Sequence, residues 1–281
     1  NIAPAIMAYG TPEQRERFLR PMLRGDEIWC QGMSEPGAGS DLAGLRCRAD
    51  LDGDTFVVTG QKTWNSNGHL ADWCQLYVRT DPAAPRHEGI TCLLVDMRTP
   101  GVEARPIRTM AGDTGFAEVF FTEARVPRSA LLGAVGEGWI VATRTLGHER
   151  AGVAPLYLGV RRTLDRLVAE AGGPAAGDPL ARQALAARHV DARVLEMLAR
   201  RALAGAAAGR PPGPEGSVVK LAWSQAAQAV AGTAVDLLGM EGLHGPWAEG
   251  LLASRALSIA GGTSEVNRTI VAERVLGLPR D

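Results

Sequence analysis

The alternation of apolar and polar positions divides the chain into three stretches of different period. In the first, Phe18, Leu19, Met22 and Leu23 recur at helical spacing and predict an amphipathic helix with one buried face. Thr11 is placed to cap it, Pro12 suits the first helical position, Gln14 completes a capping box and Gly25 stops it. From Trp29 to about Pro127 the pattern changes to short β-rich runs punctuated by turn residues. Phe56 to Thr59, Gln75 to Arg79, Thr91 to Asp96 and Val119 to Thr122 are the predicted strands, with turns at Asp52-Gly53-Asp54 and Asn65-Ser66-Asn67-Gly68. No helical pattern separates these runs, so an antiparallel barrel or sandwich is expected and a parallel doubly wound sheet is not.

Beyond Gly136 come long Ala-, Leu- and Arg-rich segments broken by Gly and Pro at 172–179, 209–216 and 239–246. The breaks predict about four helices, and short connections between long amphipathic helices favour an antiparallel four-helix bundle. A tail helix is expected from Ser264 to Leu276, with Pro279 ending it. Ala142, Leu146, Val153, Leu156, Val160 and Leu167 form an apolar stripe, and Glu149 lies on it. A carboxylate on a buried face is expected to have a raised pKa. Two other readings stay open: Glu149 pairs with a basic residue of the bundle, or Pro155 kinks the helix and turns it to solvent. The expected class is α+β, a central antiparallel β-barrel domain followed by a C-terminal four-helix bundle.

Composition narrows the partners. The 281 residues, 46% hydrophobic, suffice for two domains and a large core. Lys plus Arg number 30 against 31 Asp plus Glu, without a block of like charge, so the footprint of a nucleic-acid or membrane-surface binder is missing. Cys30, Cys47, Cys74 and Cys92 form no CxxC pair, and the five histidines show no HExxH spacing, so neither zinc nor a disulfide framework is indicated. No signal peptide or membrane-spanning run is evident, which makes a cytoplasmic location and no membrane insertion the expectation. The chain starts without methionine and inside apolar sequence, which suggests processing or a fragment.

The stretch Trp29 to Leu45 concentrates the special backbone chemistry. Glu35, Pro36, Gly37, Ala38, Gly39, Ser40 and Asp41 offer a rigid turn, two positions free to take positive φ, and short polar groups beside exposed amides. Such a loop can approach a flat or anionic ligand, or be a plain surface turn. A dinucleotide fingerprint fails because the third glycine position is Leu42 and no strand–helix unit surrounds it. A serine hydrolase fails because Ser34 and Ser40 lack the GxSxG elbow.

Several separated segments resemble the acyl-CoA dehydrogenase family of flavoenzymes: residues 33–41 (MSEPGAGSD), 60–68 (GQKTWNSNG), 119–121 with 126–127, 136–139 (GEGW) and 261–268 (GGTSEVNR). The resemblance implies the end of an N-terminal helical domain at 1–27, a middle β domain at 28–135 and a helical bundle domain at 136–281. Most of the first domain is expected to be absent. It also implies FAD held between the last two domains and across a subunit interface. Met33, Ser34 and Ser40 are then flavin contacts, with Ser40 alternatively facing the thioester, together with Trp64, Ser66, Thr263 and Glu265. Thr263 is also an N-cap candidate. Gly262 and Arg150 are implied on the substrate side, Arg150 neutralising a CoA phosphate or serving the bundle.

The implied reaction removes the pro-R α-proton of an acyl thioester with a carboxylate, while the β-hydrogen leaves as hydride to the flavin. The family's commonest base position is Gly261 here. Another part of the family puts glutamate on the first bundle helix directly before arginine, and Glu149-Arg150 matches, so Glu149 is the expected base. The family's Arg-x-x-Phe stretch has no counterpart in Ala171 to Pro179, and Asp236 and Met240 replace a frequent glutamine and glycine. The implied partners are an acyl-CoA or carrier-bound acyl thioester, an electron-transfer flavoprotein or similar acceptor, and further subunits in a homo- or hetero-oligomer, dimer or tetramer. The alternative is a non-catalytic or half-site subunit completing a partner's flavin site.

Overall fold

A computed structural model describes residues 1–152, 154–175, 177–210 and 213–279; the side chains of Arg150, Ala151, Ala154, Pro174 and Ala175 are outside the description. The chain forms two compact units, Asn1–Leu146 and Gly147–Asp281.

The first unit opens with two helices, α1 (Ile2–Tyr9) and α2 (Pro12–Arg24). The expected helix is α2, with the Thr11–Gln14 capping box formed and Gly25 in the left-handed conformation at its end. Gln14 also donates to the carbonyls of Ser129 and Leu131, at 2.8 and 2.9 Å, so the cap ties the helix to distant chain. Phe18 is buried and Leu19 and Met22 pack beside it, whereas Leu23, expected on the same face, is 79% exposed. Leu23 shares the face of Leu19 but stands in the last turn, one residue before the end of α2 at Arg24.

The sheet has seven strands: β1 (Trp29–Gly32), β2 (Arg48–Asp52), β3 (Thr55–Ser66), β4 (Trp73–Arg79), β5 (Ile90–Asp96), β6 (Val102–Ile107) and β7 (Phe116–Pro127). Their order is β1-β4-β2-β3-β7-β6, with β5 on β4. Most pairs are antiparallel, as expected. β1 runs parallel to β4 from Trp29↔Trp73 to Gly32↔Leu76, and β2 meets β4 in parallel at Arg48↔Arg79, so the curled sheet stays open. The long excursion between β1 and β4 permits that parallel pairing, which a tight hairpin could not make. β4 and β5 are buried on both faces. Tyr77, Cys92 and Leu94 join α1 and α2 in one core, while Leu76, Val78, Leu93 and Val95 join Phe56, Val58, Val119 and Phe121 in another.

Helix α3 (Gly138–Gly152) begins in the first unit, and its last residues belong to the second. The second unit continues with α4 (Tyr157–Ala175), α5 (Pro179–Ala207), α6 (Glu215–Leu238), α7 (Gly245–Ser254) and α8 (Ser264–Ile270). The core is built from Val160, Leu164 and Leu167 of α4, Leu195 of α5, Val219 and Val230 of α6, and Trp247 of α7. The Trp247 indole donates to Glu170 at 2.6 Å, linking α7 to α4. The apolar stripe expected to run through Glu149 is interrupted. A short 3-10 turn, Ala154–Leu156, separates α3 from α4, and Leu156 is 41% exposed. Pro155 lacks the N–H that would continue the helix. Val153 lies outside the described residues. Among the described residues no helix is long and apolar enough to cross a membrane.

Candidate functional site

In the first unit, the loop after β1 is fastened to β3 by a ladder of unlike bonds. The carbonyls of Gln31, Met33 and Ser34 accept from Asn65 Nδ2 (2.8 Å), Lys62 Nζ (3.0 Å) and Thr63 N (2.9 Å) respectively. Beneath them lies a buried ion pair. Lys62 is 0% exposed, and its ammonium donates to Glu35 Oε1 at 2.8 Å. Glu35 also accepts from the Cys47 and Arg46 amides, at 2.8 and 2.7 Å. Each buried charge therefore has an opposite charge or several dipoles beside it, the condition under which such a pair is tolerated. Burial pushes the neighbouring Cys47 thiol up to about 11, with Lys62 pulling the other way.

The loop itself is a tight turn in which Glu35 and Ala38 exchange backbone bonds of 2.9 and 3.0 Å. Neither Gly37 nor Gly39 takes the left-handed backbone that the sequence suggests, and a Cβ on either would meet nothing within 4 Å. The space beside them is open. Met33 and Ser34 are half-buried, Ser40 is exposed, and Asp41 is ion-paired with Arg86. Across on β3, the register slips between Lys62 and Asn65, and Trp64 sits at φ +61 with its side chain 58% exposed. A bulky residue in that conformation is strained. Its indole meets Phe116 edge-on at 6.0 Å, and Ser66 is exposed. Gln31 Nε2 and Asn65 Oδ1 are buried with no hydrogen-bond partner among the described residues. A buried orphan donor and acceptor, an out-turned indole and an uncrowded glycine turn together suit a flat ligand with polar edges.

In the second unit, Glu149 near the end of α3 is half-buried. A Cβ added to Gly261 would stand 3.3 Å from Glu149 Oε1. Gly261 and Gly262 form a turn with φ of +69° and +92° before α8. Thr263 caps α8, accepting from Val266 N at 3.2 Å, and Glu265 is exposed and paired with Arg268. Lys220 of α6 is 1% exposed and donates to the Gly262 carbonyl at 2.7 Å.

Residues 30–124 match the family model described as acyl-CoA dehydrogenase, middle domain, and residues 136–276 match that of the acyl-CoA dehydrogenase C-terminal domain. The chain belongs to the acyl-CoA dehydrogenase family. These are flavoprotein oxidoreductases acting on CH–CH donors. The chain is 42% identical over 289 residues to acyl-CoA dehydrogenase IpdE1 of Mycobacterium tuberculosis, covering 100% of this chain and 74% of that protein. Among solved structures, the Tcur3481-Tcur3483 steroid ACAD superposes with a TM-score of 0.94 at 32% identity, over 100% of this chain and 76% of that one. The ChsE4-ChsE5 complex from Mycobacterium tuberculosis gives 0.89 at 34% identity, over 100% and 77%.

Of the residues expected from sequence, the structure gathers Met33 and Ser34 with the strand that carries Trp64 and Ser66, and it brings Gly261 to Glu149. Thr263 is engaged as a helix cap and Glu265 points into an exposed pair. The side chain of Arg150 lies outside the described residues. Sequence reasoning missed Gln31, the Glu35–Lys62 pair and Lys220. A signal for the last existed: Ser217, Lys220 and Ser224, at helical spacing in an otherwise apolar segment, are all buried on α6.

Proposed function

We propose that the chain is an FAD-dependent dehydrogenase that introduces a double bond between the α and β carbons of an acyl-CoA, or carrier-bound acyl, thioester, with Glu149 as the base. The observation that carries the reading is the 3.3 Å between Glu149 Oε1 and the Cβ position of Gly261. A carboxylate from α3 thus reaches the space that the family's commonest base position would fill, and Gly261 leaves it room. Glu149 takes the α-proton at a carboxylate oxygen, and Gly262 contributes its backbone amide on the substrate side. Met33, Ser34, Trp64 and Ser66 would hold the flavin, with Gln31 and Asn65 offering their unmatched polar atoms to its edge and Ser40 facing flavin or thioester. Thr263 and Glu265 would contribute from the start of α8, and Arg150 would serve a CoA phosphate. Bound FAD supplies the acceptor for the β-hydrogen, which leaves with its electron pair. An electron-transfer flavoprotein or similar carrier would reoxidise it.

The test is flavin bleaching by a panel of butanoyl-, octanoyl-, palmitoyl- and steroid-side-chain acyl-CoA thioesters. Positioned general bases contribute about 10²- to 10⁴-fold, so Glu149→Gln should slow bleaching by that factor while flavin stays bound. Undiminished bleaching by Glu149→Gln sinks the assignment.

A second reading is supported by the missing Arg-x-x-Phe stretch and by a structural neighbour described as a two-component complex. In it the chain is a half-site subunit that completes a partner's flavin site. Purification separates the two. A yellow homo-oligomer reduced by acyl-CoA favours the first, and a colourless protein that gains FAD only with a partner subunit favours the second.

A further inference from the structure

Lys220 is a buried cation of the second unit that the proposed chemistry does not use. It lies on α6, 1% exposed, and burial pushes its ammonium below the ordinary value while the Glu265 and Glu149 carboxylates act the other way. Burying a lysine is costly unless its charge is well used. Its ammonium donates to a carbonyl, that of Gly262, at 2.7 Å. The same carbonyl accepts from Asn267 Nδ2 at 2.8 Å, and Asn267 also donates to the Thr263 carbonyl at 3.0 Å. Two buried side chains, from α6 and α8, therefore clamp one peptide of the Gly261–Gly262 turn. The Cβ position of Gly261 lies 3.3 Å from Glu149 Oε1 and 4.0 Å from Lys220 Cε, so the carboxylate and the lysine stem flank one side of the turn.

We propose that Lys220 is a positioning residue for the reaction: by holding the Gly262 carbonyl it fixes the turn against which the Glu149 carboxylate rests, and so sets the direction from which that carboxylate meets the α-proton. The inference rests on the reading of Glu149 as base. A positively charged clamp beside that of Asn267 is suited to the task because the turn has two left-handed glycines, whose backbone is otherwise the most permissive. The ammonium also adds a long-range attraction for Glu149 that a neutral donor would lack.

The experiment uses the flavin-loaded protein, with its partner subunit if one is needed to hold flavin. The probe is the acyl-CoA of the panel above that bleaches the wild type fastest, together with its α-dideuterated form. Lys220→Met should lower kcat per bound flavin about 10-fold or more with KM within about twofold, since loss of geometry acts on the transition state. The α-deuterium isotope effect should rise as proton removal becomes slower than the other steps. A merely structural role would reduce the flavin-loaded fraction and leave both the rate per flavin and the isotope effect unchanged, and that result overturns the proposal. Should Lys220→Met not fold, Lys220→Gln, with a shorter neutral donor, carries the same expectations and the same refutation. Glu149→Gln in parallel separates the two claims. If it abolishes bleaching while the Lys220 variants behave as wild type, the positioning role fails and the base stands; if it bleaches normally, the base reading has failed.

Discussion

The Glu35–Lys62 pair should be asymmetric, with the carboxylate worth more than the ammonium. Glu35 receives three donors, Lys62 Nζ and the amides of Arg46 and Cys47, while Lys62 gives to only two acceptors, Glu35 and the Met33 carbonyl. In Lys62→Met the carboxylate keeps both backbone donors, so the loss is near that of one hydrogen bond to a charged group, about 1.5–3 kcal/mol. In Glu35→Gln the fully buried ammonium loses its counter-charge and is left with two neutral carbonyl oxygens, while the new amide's NH₂, in the place of Oε2, must face the Arg46 N–H. Stranding one partner of a buried pair costs about 3–5 kcal/mol. Against a total stability of about 5–15 kcal/mol, either change is large. The assay is guanidinium unfolding of the flavin-free chain followed by tryptophan fluorescence. Lys62→Met costing as much as Glu35→Gln, or both costing under about 1 kcal/mol, would refute this account of how the loop is anchored.

Three further outcomes are expected from the first unit. Gly37→Ala should leave the unfolding midpoint unchanged, within about 0.5 kcal/mol, because the backbone there is not left-handed and a Cβ meets nothing. It should weaken FAD binding to the apoprotein about 10-fold, roughly 1.4 kcal/mol, if a ring lies against the turn; an unchanged titration would show that nothing approaches it. Cys30, Cys47, Cys74 and Cys92 are buried and free, so Ellman's reagent should find none of them at pH 8 until the protein is unfolded. The same burial, which holds Cys47 at about 11, predicts a loss of stability as pH climbs from 9 to 11. There the unfolded thiol has given up its proton and the native one has not, so fewer protons are bound in the unfolded state and stability falls. A flat stability profile over that window contradicts it.

What could be read in the sequence was whatever is carried by neighbouring residue types. β4 and β5 are apolar on both faces and announce themselves as continuous runs. The α2 cap is local chemistry within four residues. The strands that escaped, β2 and β6, are largely exposed and charged, with burial patterns that give no clean alternation. β1 was taken into the loop that follows it. α1 escaped for the opposite reason: Ile2, Ala3, Ala5, Ile6 and Met7 leave it almost no polar face to define a period. At the site, the segments around Met33 and Trp64 could be read from residue types. The anchoring of one by the other could not, because its acceptors are main-chain carbonyls and main-chain groups carry no sequence.

The pairing of Gly261 with Glu149 shows the same limit from another side. The two positions are far apart in the chain, and each taken alone is ambiguous: a glycine where a base was expected, and a glutamate on an interrupted stripe. In space they constrain each other. Any side chain at 261 would need left-handed backbone, which costs an L residue about 1–2 kcal/mol, and its Cβ would press within 3.3 Å of Glu149 Oε1. A carboxylate there would face a second carboxylate across a few ångströms, and two such groups resist ionising together. Two carboxylates there would have to share a proton, and here position 261 carries none. On the proposed reading of Glu149 as base, the empty position in the turn is the room that the glutamate on α3 uses.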